Sequence, residues 1–458
     1  MINSRIKSQS PFEIYVRSRP LSSDEQSKLE PELSIIHDKN SRVITLSSQC
    51  DPERSRKWSS GVSFAQLFTG SVTNEHVYES TVKPALDQVM LGATCNFFAY
   101  GHSGSGKTHT VIGYEYDDSR HLGLCLSAAR DLFQAIQKEK ENPSIEDAVA
   151  GSKGGKLGVA VRLYEVRGKS AFDLLNNGSE CHVRQGPDGH THVRGKTEIL
   201  EGGKVRVRPI VAKPVWSYDE LQQTVLAGLK MREIGSSSIH NESSRTHAFI
   251  ELEVIDNTLL KAREVVIERE SELVPVGKLA TDIYIEEQMK SLIRTEDGRY
   301  IPNPDSPLDQ DRVDAAEAKK REFEERLEQA VEAVKECFTS SKHRCLGGKF
   351  VFVDLAGSEY FEQAAGKSAE LVKQTPQERQ QGRQINTDLF ALKEVIRARA
   401  SGQTRIPFRS SPLTMVLRSH FEGSSNGRSS IILTVSPLET QYVATKNTLS
   451  YGSLISGR

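Results

Sequence analysis

Residues 95–110 read CNFFAYGHSGSGKTHT, a short apolar run that leads into a glycine-rich loop. The apolar run is typical of a buried central strand. The loop, from Gly101 to Thr108, fits the pattern G-x-x-x-x-G-K-[S/T], in which glycines let backbone N–H groups point inward at a phosphate chain. A helix that begins here would place its N-terminus on the phosphates. The sequence therefore predicts a phosphate-binding loop between a strand and a helix.

Two side chains at the end of this loop suit a nucleoside triphosphate. Lys107 can neutralise the outer phosphates, and the hydroxyl of Thr108 can bind Mg²⁺. The competing interpretation is an ordinary glycine-rich turn. The strand before the loop and the helical start after it disfavour that interpretation, because both are the context that a phosphate-binding loop requires.

Candidate catalytic groups follow a second apolar strand. KFVFVDL, at 349–355, has Asp354 at its end, and Gly357 follows three residues later. A carboxylate at the end of a strand can reach Mg²⁺, usually through water, and the backbone N–H of such a glycine can bind a γ-phosphate. A polar loop at 243–247 adds two serine hydroxyls and a guanidinium just before another alternating strand. Each of these segments taken alone also fits an ordinary turn.

The balance of charge and the residue composition exclude several classes of protein. The chain has 60 Lys and Arg against 61 Asp and Glu, a net charge of -1, which argues against binding nucleic acid or anionic membrane by bulk charge. No apolar run approaches the roughly 18 residues of a membrane helix. Six sparse cysteines predict reduced thiols rather than disulfides or a zinc site. We expect a soluble intracellular protein without a nucleic-acid partner and without membrane insertion.

A charged segment, from about 257 to 346, lies between the alternating strand that follows the polar loop at 243–247 and the apolar strand at 349–355. It is too long for an ordinary loop. Its last part, 312–338, has six cations, eight anions and a narrow apolar stripe, which predicts an amphipathic helix entered through Ser306-Pro307. The segment is either a decorated surface whose helix packs on the body of the protein or a helical hairpin that binds a partner.

Seven segments, in this order along the chain, together resemble the kinesin motor domain. They are VRSRP at 16–20, AYGHSGSGKTHT at 99–110, NESSRTH at 241–247, DLAGSE at 354–359, INTDLFALKEVI at 385–396, IPFRSSPLT at 406–414 and NTLSYG at 447–452. The resemblance implies one enlarged motor domain at 12–456, with 257–346 inserted within it. It also implies an α/β fold of the P-loop NTPase type, with an eight-stranded, mainly parallel central sheet flanked by helices on both faces.

The resemblance further implies an ATPase that uses Mg²⁺. The residues that match the ATP-binding positions of the family are Arg17, Pro20, Gly101, His102, Ser103, Gly104, Ser105, Gly106, Lys107, Thr108 and His109. Among them, Arg17, Pro20 and His109 match the contacts to adenine. Thr108, Ser244 and Asp354 match the groups that hold Mg²⁺, partly through water.

Catalysis would depend on the two switch segments of the family. The matching residues are Ser243, Ser244, Arg245, Asp354, Gly357 and Glu359. Arg245 and Glu359 match the pair that bridges the switches when ATP is held, a charge-assisted contact that closes the site around the attacking water. Asn386 matches the head of the relay helix, which passes the nucleotide state to the microtubule-binding face.

A local excess of cations independently indicates an acidic partner. Between Lys393 and Arg428 there are seven cations and two anions, although the whole chain is nearly neutral. A basic stripe of this kind suits an acidic surface, and in kinesins this region meets tubulin. We predict microtubule contacts at Arg397, Arg399, Arg405 and Arg409, and a location in the cytoplasm on the microtubule cytoskeleton. The competing interpretation is a solvated face whose counter-ions lie outside this stretch.

Departures from the family pattern leave more than one function open. His240 stands where the family usually has Asn, and Ser410 and Pro412 replace an Asp and a Lys of the expected tubulin surface. The first hypothesis is a motor that couples ATP hydrolysis to microtubule binding and movement. The second is a nucleotide-gated microtubule adaptor or a non-motile regulator. A P-loop GTPase or kinase is disfavoured, because the chain has no guanine-reading N-K-x-D segment. Cargo, direction, oligomeric state and the choice between movement and depolymerisation cannot be read from these motifs.

Overall fold

The structure is a computed structural model that describes residues 12–27, 30–48, 56–141, 155–186, 189, 191–234, 245–358, 376–422 and 427–455. The dominant element among these residues is a twelve-stranded sheet. Its strands are β1 (Glu13–Ser18), β5 (Gln66–Phe68), β6 (Thr94–Tyr100), β7 (Gly158–Arg167), β8 (Ser170–Asp173), β9 (Ser179–Gln185), β10 (Thr191–Ile199), β11 (Val205–Pro209), β12 (Lys213–Val215), β13 (His247–Ile255), β16 (Lys349–Asp354) and β17 (Ser429–Val435).

Two smaller sheets and a set of helices accompany it. The small sheets consist of β2 (Ser34–His37), β3 (Ile44–Ser47) and β4 (Lys57–Ser59), and of β14 (Leu292–Arg294) and β15 (Tyr300–Pro302). The described helices are α1 (Ser23–Ser27), α2 (Asn74–Thr81), α3 (Leu86–Val89), α4 (Lys107–Val111), α5 (Leu124–Glu141), α6 (Tyr218–Ile234), α7 (Asn257–Lys290), α8 (Gln310–Thr339), α9 (Pro376–Ala400), α10 (Pro412–Glu422) and α11 (Tyr442–Ile455). Within the described ranges, no helix has the length and apolar character needed to cross a membrane.

The large sheet differs from the predicted eight-stranded, mainly parallel arrangement. Its order is β11-β10-β9-β8-β7-β13-β16-β6-β17-β1-β5, with β12 beside β7. The run β16-β6-β17-β1-β5 is parallel, and the other pairings in this sheet are antiparallel. Short links account for the antiparallel run from β7 to β11, since strands joined by a few residues, as β7 and β8 are by Gly168 and Lys169, pair as antiparallel neighbours.

Two apolar cores lie on opposite faces of this sheet, because side chains alternate along each strand. In β16, Phe350 and Phe352 belong to one core, together with apolar side chains of α2, α5 and α6. Val351 and Val353 of the same strand belong to the other core, together with side chains of α9, α10 and α11. Helices therefore cover both faces of the sheet, which confirms that part of the fold prediction.

The parallel half of the sheet brings the glycine-rich loop and the segment after Asp354 to one edge. β6 lies between β16 and β17, and the register pairs Asp354 with Ala99 and Leu433 with Tyr100. The carboxyl ends of parallel strands meet at the same edge, where ligands of open α/β sheets bind. The loop that follows Tyr100 and the segment that follows Asp354 therefore begin side by side.

The charged segment at 257–346 contains two long antiparallel helices, α7 and α8. Leu259 near the start of α7 and Val334 near the end of α8 contact the same core, so both helices leave the body of the protein together. The Asp309 side chain accepts a hydrogen bond from the backbone N–H of Arg312 and caps α8, which begins at Gln310. The predicted entry at Ser306-Pro307 lies a few residues earlier. That this segment is an insertion into a motor domain at 12–456 remains a prediction.

Candidate functional site

The glycine-rich loop connects β6 to α4 and has the geometry that a phosphate-binding loop needs. Gly106 has a φ of 94° and caps the N-terminus of α4, so a residue with a side chain would be strained there. α4 itself begins at Lys107. The first N–H groups of this helix therefore face the loop, as an anion site requires.

Lys107 is held inside this loop. Its side chain is buried, and its Nζ atom donates hydrogen bonds to the carbonyls of Gly101 at 3.1 Å and His102 at 2.8 Å. Burial lowers the pKa of Lys107 to about 8; nearby Asp354 opposes this shift and Arg232 adds to it. The ammonium is thus already turned toward the space that the loop encloses, where phosphate oxygens could replace the two carbonyls.

Asp354 is the centre of the polar contacts at this edge of the sheet. The hydroxyl of Thr108 donates a hydrogen bond to its Oδ2 atom at 2.7 Å, and Nη1 of Arg232 donates to the same oxygen at 3.0 Å. Its Oδ1 atom is buried and has no hydrogen-bond partner among the described residues. A hydroxyl next to a carboxylate oxygen that lacks a donor fits Mg²⁺, which prefers hard oxygen ligands and keeps several waters.

The segment after Asp354 packs directly on the glycine-rich loop. A Cβ atom at Gly357 would lie 2.8 Å from the backbone nitrogen of Ser103, so only glycine fits this approach. The backbone N–H of Ser358 donates to the carbonyl of Gly101 at 3.2 Å. Two of the residues predicted to contact the γ-phosphate and Mg²⁺, Asp354 and Gly357, are thus in contact with the loop. Glu359, Ser243 and Ser244 lie outside the described residues.

A cavity of about 260 Å³ lies beside the loop, at the predicted adenine position. Its lining includes Arg17, Pro20 and His109, the three residues predicted to contact the base. Nη1 of Arg17 donates to the hydroxyl of Thr110 at 3.0 Å, which fixes the guanidinium at the cavity wall. Burial and the nearby Arg17 and His121 lower the pKa of His109 to about 4. His109 is therefore a neutral ring near neutral pH, and it packs at 4.6 Å against Tyr114.

Arg232 is a site residue that the sequence did not reveal. It lies near the end of α6 and is only 6% exposed, and it donates to the Oγ1 and carbonyl oxygens of Thr246 at 3.1 and 2.9 Å. Its Nε atom also lies 3.8 Å from the carboxylate of Glu165. Through its bond to Asp354, Arg232 joins α6, the start of β13 and the end of β16. A cation in the last turn of a helix usually interacts with the helix dipole at the surface, so no sequence pattern distinguishes this one.

A second cavity, of about 410 Å³, separates the β7–β8 turn from α9. Arg245, His247 and Asp388 line it. The Nδ1 atom of His247 accepts a hydrogen bond from the backbone N–H of Ala356 at 3.1 Å, and its Nε2 atom lies 3.9 Å from Asp388. Burial lowers the pKa of His247 to about 3, so this ring is neutral.

Asn386 does not lie at the head of its helix. α9 begins at Pro376, and Asn386 follows ten residues later. The helix extends further toward its N-terminus because the preceding residues, QERQQGRQ, include several strong helix formers and Pro376 suits the first helical position. Asn386 therefore lies within α9 rather than at its first turn, and its role in a relay helix remains a prediction.

The four arginines predicted to contact microtubules do not share one environment. Arg405 and Arg409 are exposed, and the Arg397 side chain is 51% exposed and 3.2 Å from Glu394. Arg399 differs, because its Nη1 atom donates to the carbonyl of Phe421 and its guanidinium lies 5.2 Å from the ring of that residue. Arg399 therefore anchors the end of α10 to α9.

The sequence model of the kinesin motor domain family matches residues 17–279 and 327–456, which is most of the chain. The chain belongs to the kinesin motor domain family. The P-loop NTPase fold that the resemblance implies is confirmed by this match. Within the matched ranges lie the glycine-rich loop, Asp354 and the basic stripe.

Several kinesin-like proteins are similar to this kinesin domain along nearly its whole length. The mouse kinesin-like protein KIF24 is 24% identical over 442 residues, which cover 96% of this chain and 24% of that protein. The rice protein KIN-13A is 27% identical over 97% of this chain and 41% of its own length. The Arabidopsis protein KIN-13B is 25% identical over 98% of this chain and 48% of its own length. The chain thus spans between a quarter and a half of these relatives.

The buried carboxyl of Asp388 makes stability depend on pH in a direction that can be checked. Burial raises its pKa to about 6, and hydrogen bonds from Gln384 and Ser411 only partly oppose this shift. Since the folded-state pKa lies above the unfolded value, the folded protein loses stability as pH rises from about 4 to about 6. Asp388→Asn removes this cost, so it should stabilise the protein by up to about 3 kcal/mol at pH 7.5 and much less at pH 4. Urea unfolding at the two pH values measures the difference.

The matched control for this prediction is Glu394→Gln, which neutralises a partly exposed carboxylate on the same helix. It should change the free energy of unfolding by less than about 0.5 kcal/mol at either pH. A gain from Asp388→Asn that is the same at both pH values would show that the Asp388 carboxyl is not the titrating group.

Proposed function

We propose that this kinesin domain is a microtubule-stimulated ATPase that couples the binding and hydrolysis of ATP with Mg²⁺ to microtubule binding and movement. The arrangement around Asp354 carries the proposal. Thr108 and Arg232 both donate to Oδ2, while the buried Oδ1 atom has no partner in the part of the chain that the structure describes. A buried oxygen without a donor is costly, and a water bound to Mg²⁺ would supply one.

Each residue at this edge of the sheet then has a distinct role. When bound, Mg²⁺ neutralises charge that develops on the phosphates. Lys107 pairs with the outer phosphate oxygens, and the backbone N–H of Gly357 orients the γ-phosphate. Arg245 and Glu359, the second of which lies outside the described residues, would bridge the two switch segments and exclude water other than the attacking molecule. Arg232 positions the Asp354 carboxylate and does not itself touch the nucleotide.

A chain of contacts supports coupling between this site and the microtubule-binding face. Two residues after Asp354, the N–H of Ala356 donates to His247, whose other ring nitrogen lies near Asp388 on α9. Arg397 lies in the last turn of that helix. A change in the segment after Asp354 would therefore be transmitted to α9 and to the arginines at its end, which is the route we propose for nucleotide-dependent binding.

The partner that we propose for the basic stripe is the acidic surface of tubulin. Arg397, Arg405 and Arg409 provide exposed positive charge around the end of α9 and the start of α10. Exposed positive charge raises the rate at which a protein associates with an acidic polymer, and it favours one orientation of the protein on that polymer. We accordingly propose a location in the cytoplasm on microtubules, without a nucleic-acid partner and without membrane insertion.

A nucleotide-gated adaptor or non-motile regulator is the second candidate function. The Arg399 guanidinium is hydrogen-bonded to Phe421 at the end of α10 and is therefore not presented to a partner. Pro412, the first residue of α10, stands where the family usually has a lysine. Both differences reduce the positive charge available to tubulin, which favours weaker binding. Such a protein would bind microtubules in a nucleotide-dependent way without an accelerated ATP turnover.

Steady-state phosphate release by residues 1–458 tests the proposal directly. Microtubules should increase the ATP turnover, and Lys107→Ala should lower it by at least about a hundredfold, because it removes the cation that stabilises the outer phosphates. ATP should also outcompete GTP for binding. If saturating microtubules leave the turnover unchanged while microtubule binding still depends on nucleotide, the adaptor is the correct assignment.

The basic stripe can be tested separately by co-sedimentation with microtubules. Replacing Arg397, Arg405 and Arg409 with alanine should weaken binding at least about tenfold at low salt and flatten its salt dependence. A matched control replaces three exposed cations of α8, Lys319, Arg321 and Lys335, with alanine. Equal losses in the two triple variants would contradict a specific role for the stripe.

A further inference from the structure

The loop between α4 and α5, residues 112–123, places a tyrosine against a side chain that lines the predicted adenine cavity. Tyr114 lies in this loop, and 41% of its surface is exposed. The centroid of its ring lies 4.6 Å from that of His109, at an interplanar angle of 32°. It also lies 4.6 Å from the centroid of His121, at an angle of 13°. Rings at these distances are in direct contact. We call these three side chains the ring cluster.

The backbone of this loop is closed on itself, which fixes the frame of the ring cluster. The N–H of Tyr114 donates to the carbonyl of His121 at 3.1 Å, and the N–H of Gly123 donates to the carbonyl of Ile112 at 2.9 Å. Gly113 has a φ of 93°, and a Cβ atom there would clash with the backbone of Gly123. The two ends of the loop therefore hold Tyr114 opposite His121.

A buried asparagine fixes the backbone of both histidines of the ring cluster. Asn74, the first residue of α2, is 2% exposed. Its Nδ2 atom donates to the carbonyl of His109 at 3.1 Å and to the carbonyl of His121 at 3.0 Å. Because the backbone of His109 is held in this way, the direction of its ring depends on what the side chain packs against. Tyr114 provides such a surface.

Tyr114 also lies near the arginine of the cavity wall. Burial lowers the pKa of Arg17 to about 10, and the nearby Tyr114 opposes this shift. Arg17 and His109 are two of the three residues predicted to contact the base, and both line the cavity. Tyr114 itself lies outside the lining of this cavity. It can therefore act on a bound base only through these two side chains.

We propose that Tyr114 is a positioning residue for the base of the nucleotide and that it holds the His109 ring in the orientation that stacks on adenine. This inference rests on the proposed function. A side chain that is already held loses less conformational entropy when a ligand binds, so support from Tyr114 raises the affinity for the base. The phosphates bind to Lys107 and the glycine-rich loop, which do not depend on this support. The ring cluster thus contributes to recognition of the base and not of the phosphates.

The position of Tyr114 allows this role to be separated from a role in folding. Among the described residues, Tyr114 belongs to neither of the two apolar cores, and its ring is partly exposed. Substitutions at exposed positions outside the core usually change stability little. Variants of Tyr114 can therefore be compared with the parent chain as folded proteins.

Isothermal titration calorimetry of residues 1–458 with two ligands tests the proposal. In the presence of Mg²⁺, Tyr114→Leu should weaken binding of the non-hydrolysable ATP analogue AMPPNP at least about threefold, because aromatic contacts contribute on this order. The same variant should bind inorganic tripolyphosphate, which has no base, with the affinity of the parent chain. Tyr114→Phe keeps the ring and should bind AMPPNP as the parent does.

The matched control is Tyr116→Leu, which makes the same substitution in the same loop, where the side chain packs against the apolar core. It should leave both affinities unchanged, and circular dichroism verifies that each variant is folded. If Tyr114→Leu weakens the two ligands equally, Tyr114 has only a structural role and the proposal is overturned. Unchanged binding of AMPPNP by Tyr114→Leu would overturn it as well, and so would an equal loss in Tyr116→Leu.

These outcomes are distinguishable from a failure of the proposed function. A parent chain that binds neither ligand would contradict nucleotide binding and this inference together. A parent chain that binds AMPPNP but shows no microtubule-stimulated turnover would contradict the proposed ATPase alone. The role of Tyr114 would then still be decided by the two affinities, because neither of them depends on hydrolysis.

Discussion

The hydrogen bonds that converge on one oxygen of Asp354 organise the edge of the sheet where we propose that ATP binds. Thr108 comes from the start of α4, Arg232 from the end of α6 and Asp354 from the end of β16, so the two bonds join three elements at one point. Arg232 also bonds to Thr246, at the start of β13. Because Asp354, Arg232 and Thr246 are buried, the bonds that Arg232 makes are electrostatically stronger than in water, and the loss of Arg232 would leave the Asp354 carboxylate without its cation.

The sequence predicts the parts of this edge that are local in the chain. The spacing of glycines, Lys107 and Thr108 specifies a loop conformation within eight residues, and an apolar run before Asp354 predicts a strand with a carboxylate at its end. Arg232 could not be predicted, since its role exists only when α6 packs against β13 and β16. The antiparallel half of the sheet could not be predicted either, because short alternating stretches of sequence do not reveal which neighbouring strands they pair with.

The basic stripe shows the same limit, because the sequence gives the number of cations but not the environment that the fold gives each of them. The excess of cations between Lys393 and Arg428 is visible in the sequence, yet the structure divides them by environment. Arg399 is bonded to the end of α10, and Arg428 pairs with Glu13, a counter-ion far away in the chain. Arg397, Arg405 and Arg409 remain exposed. A nearly neutral chain thus presents a basic face where three exposed arginines, rather than seven cations, provide the charge.

In the proposed mechanism, Arg232 holds the Asp354 carboxylate in the geometry needed for hydrolysis. Single-turnover ATP hydrolysis by Arg232→Gln, compared with the parent chain and combined with a nucleotide-binding titration, tests it most directly. Our account predicts that hydrolysis slows at least about tenfold while nucleotide affinity changes by no more than about threefold. A variant that folds normally and hydrolyses ATP at the parent rate would contradict the account.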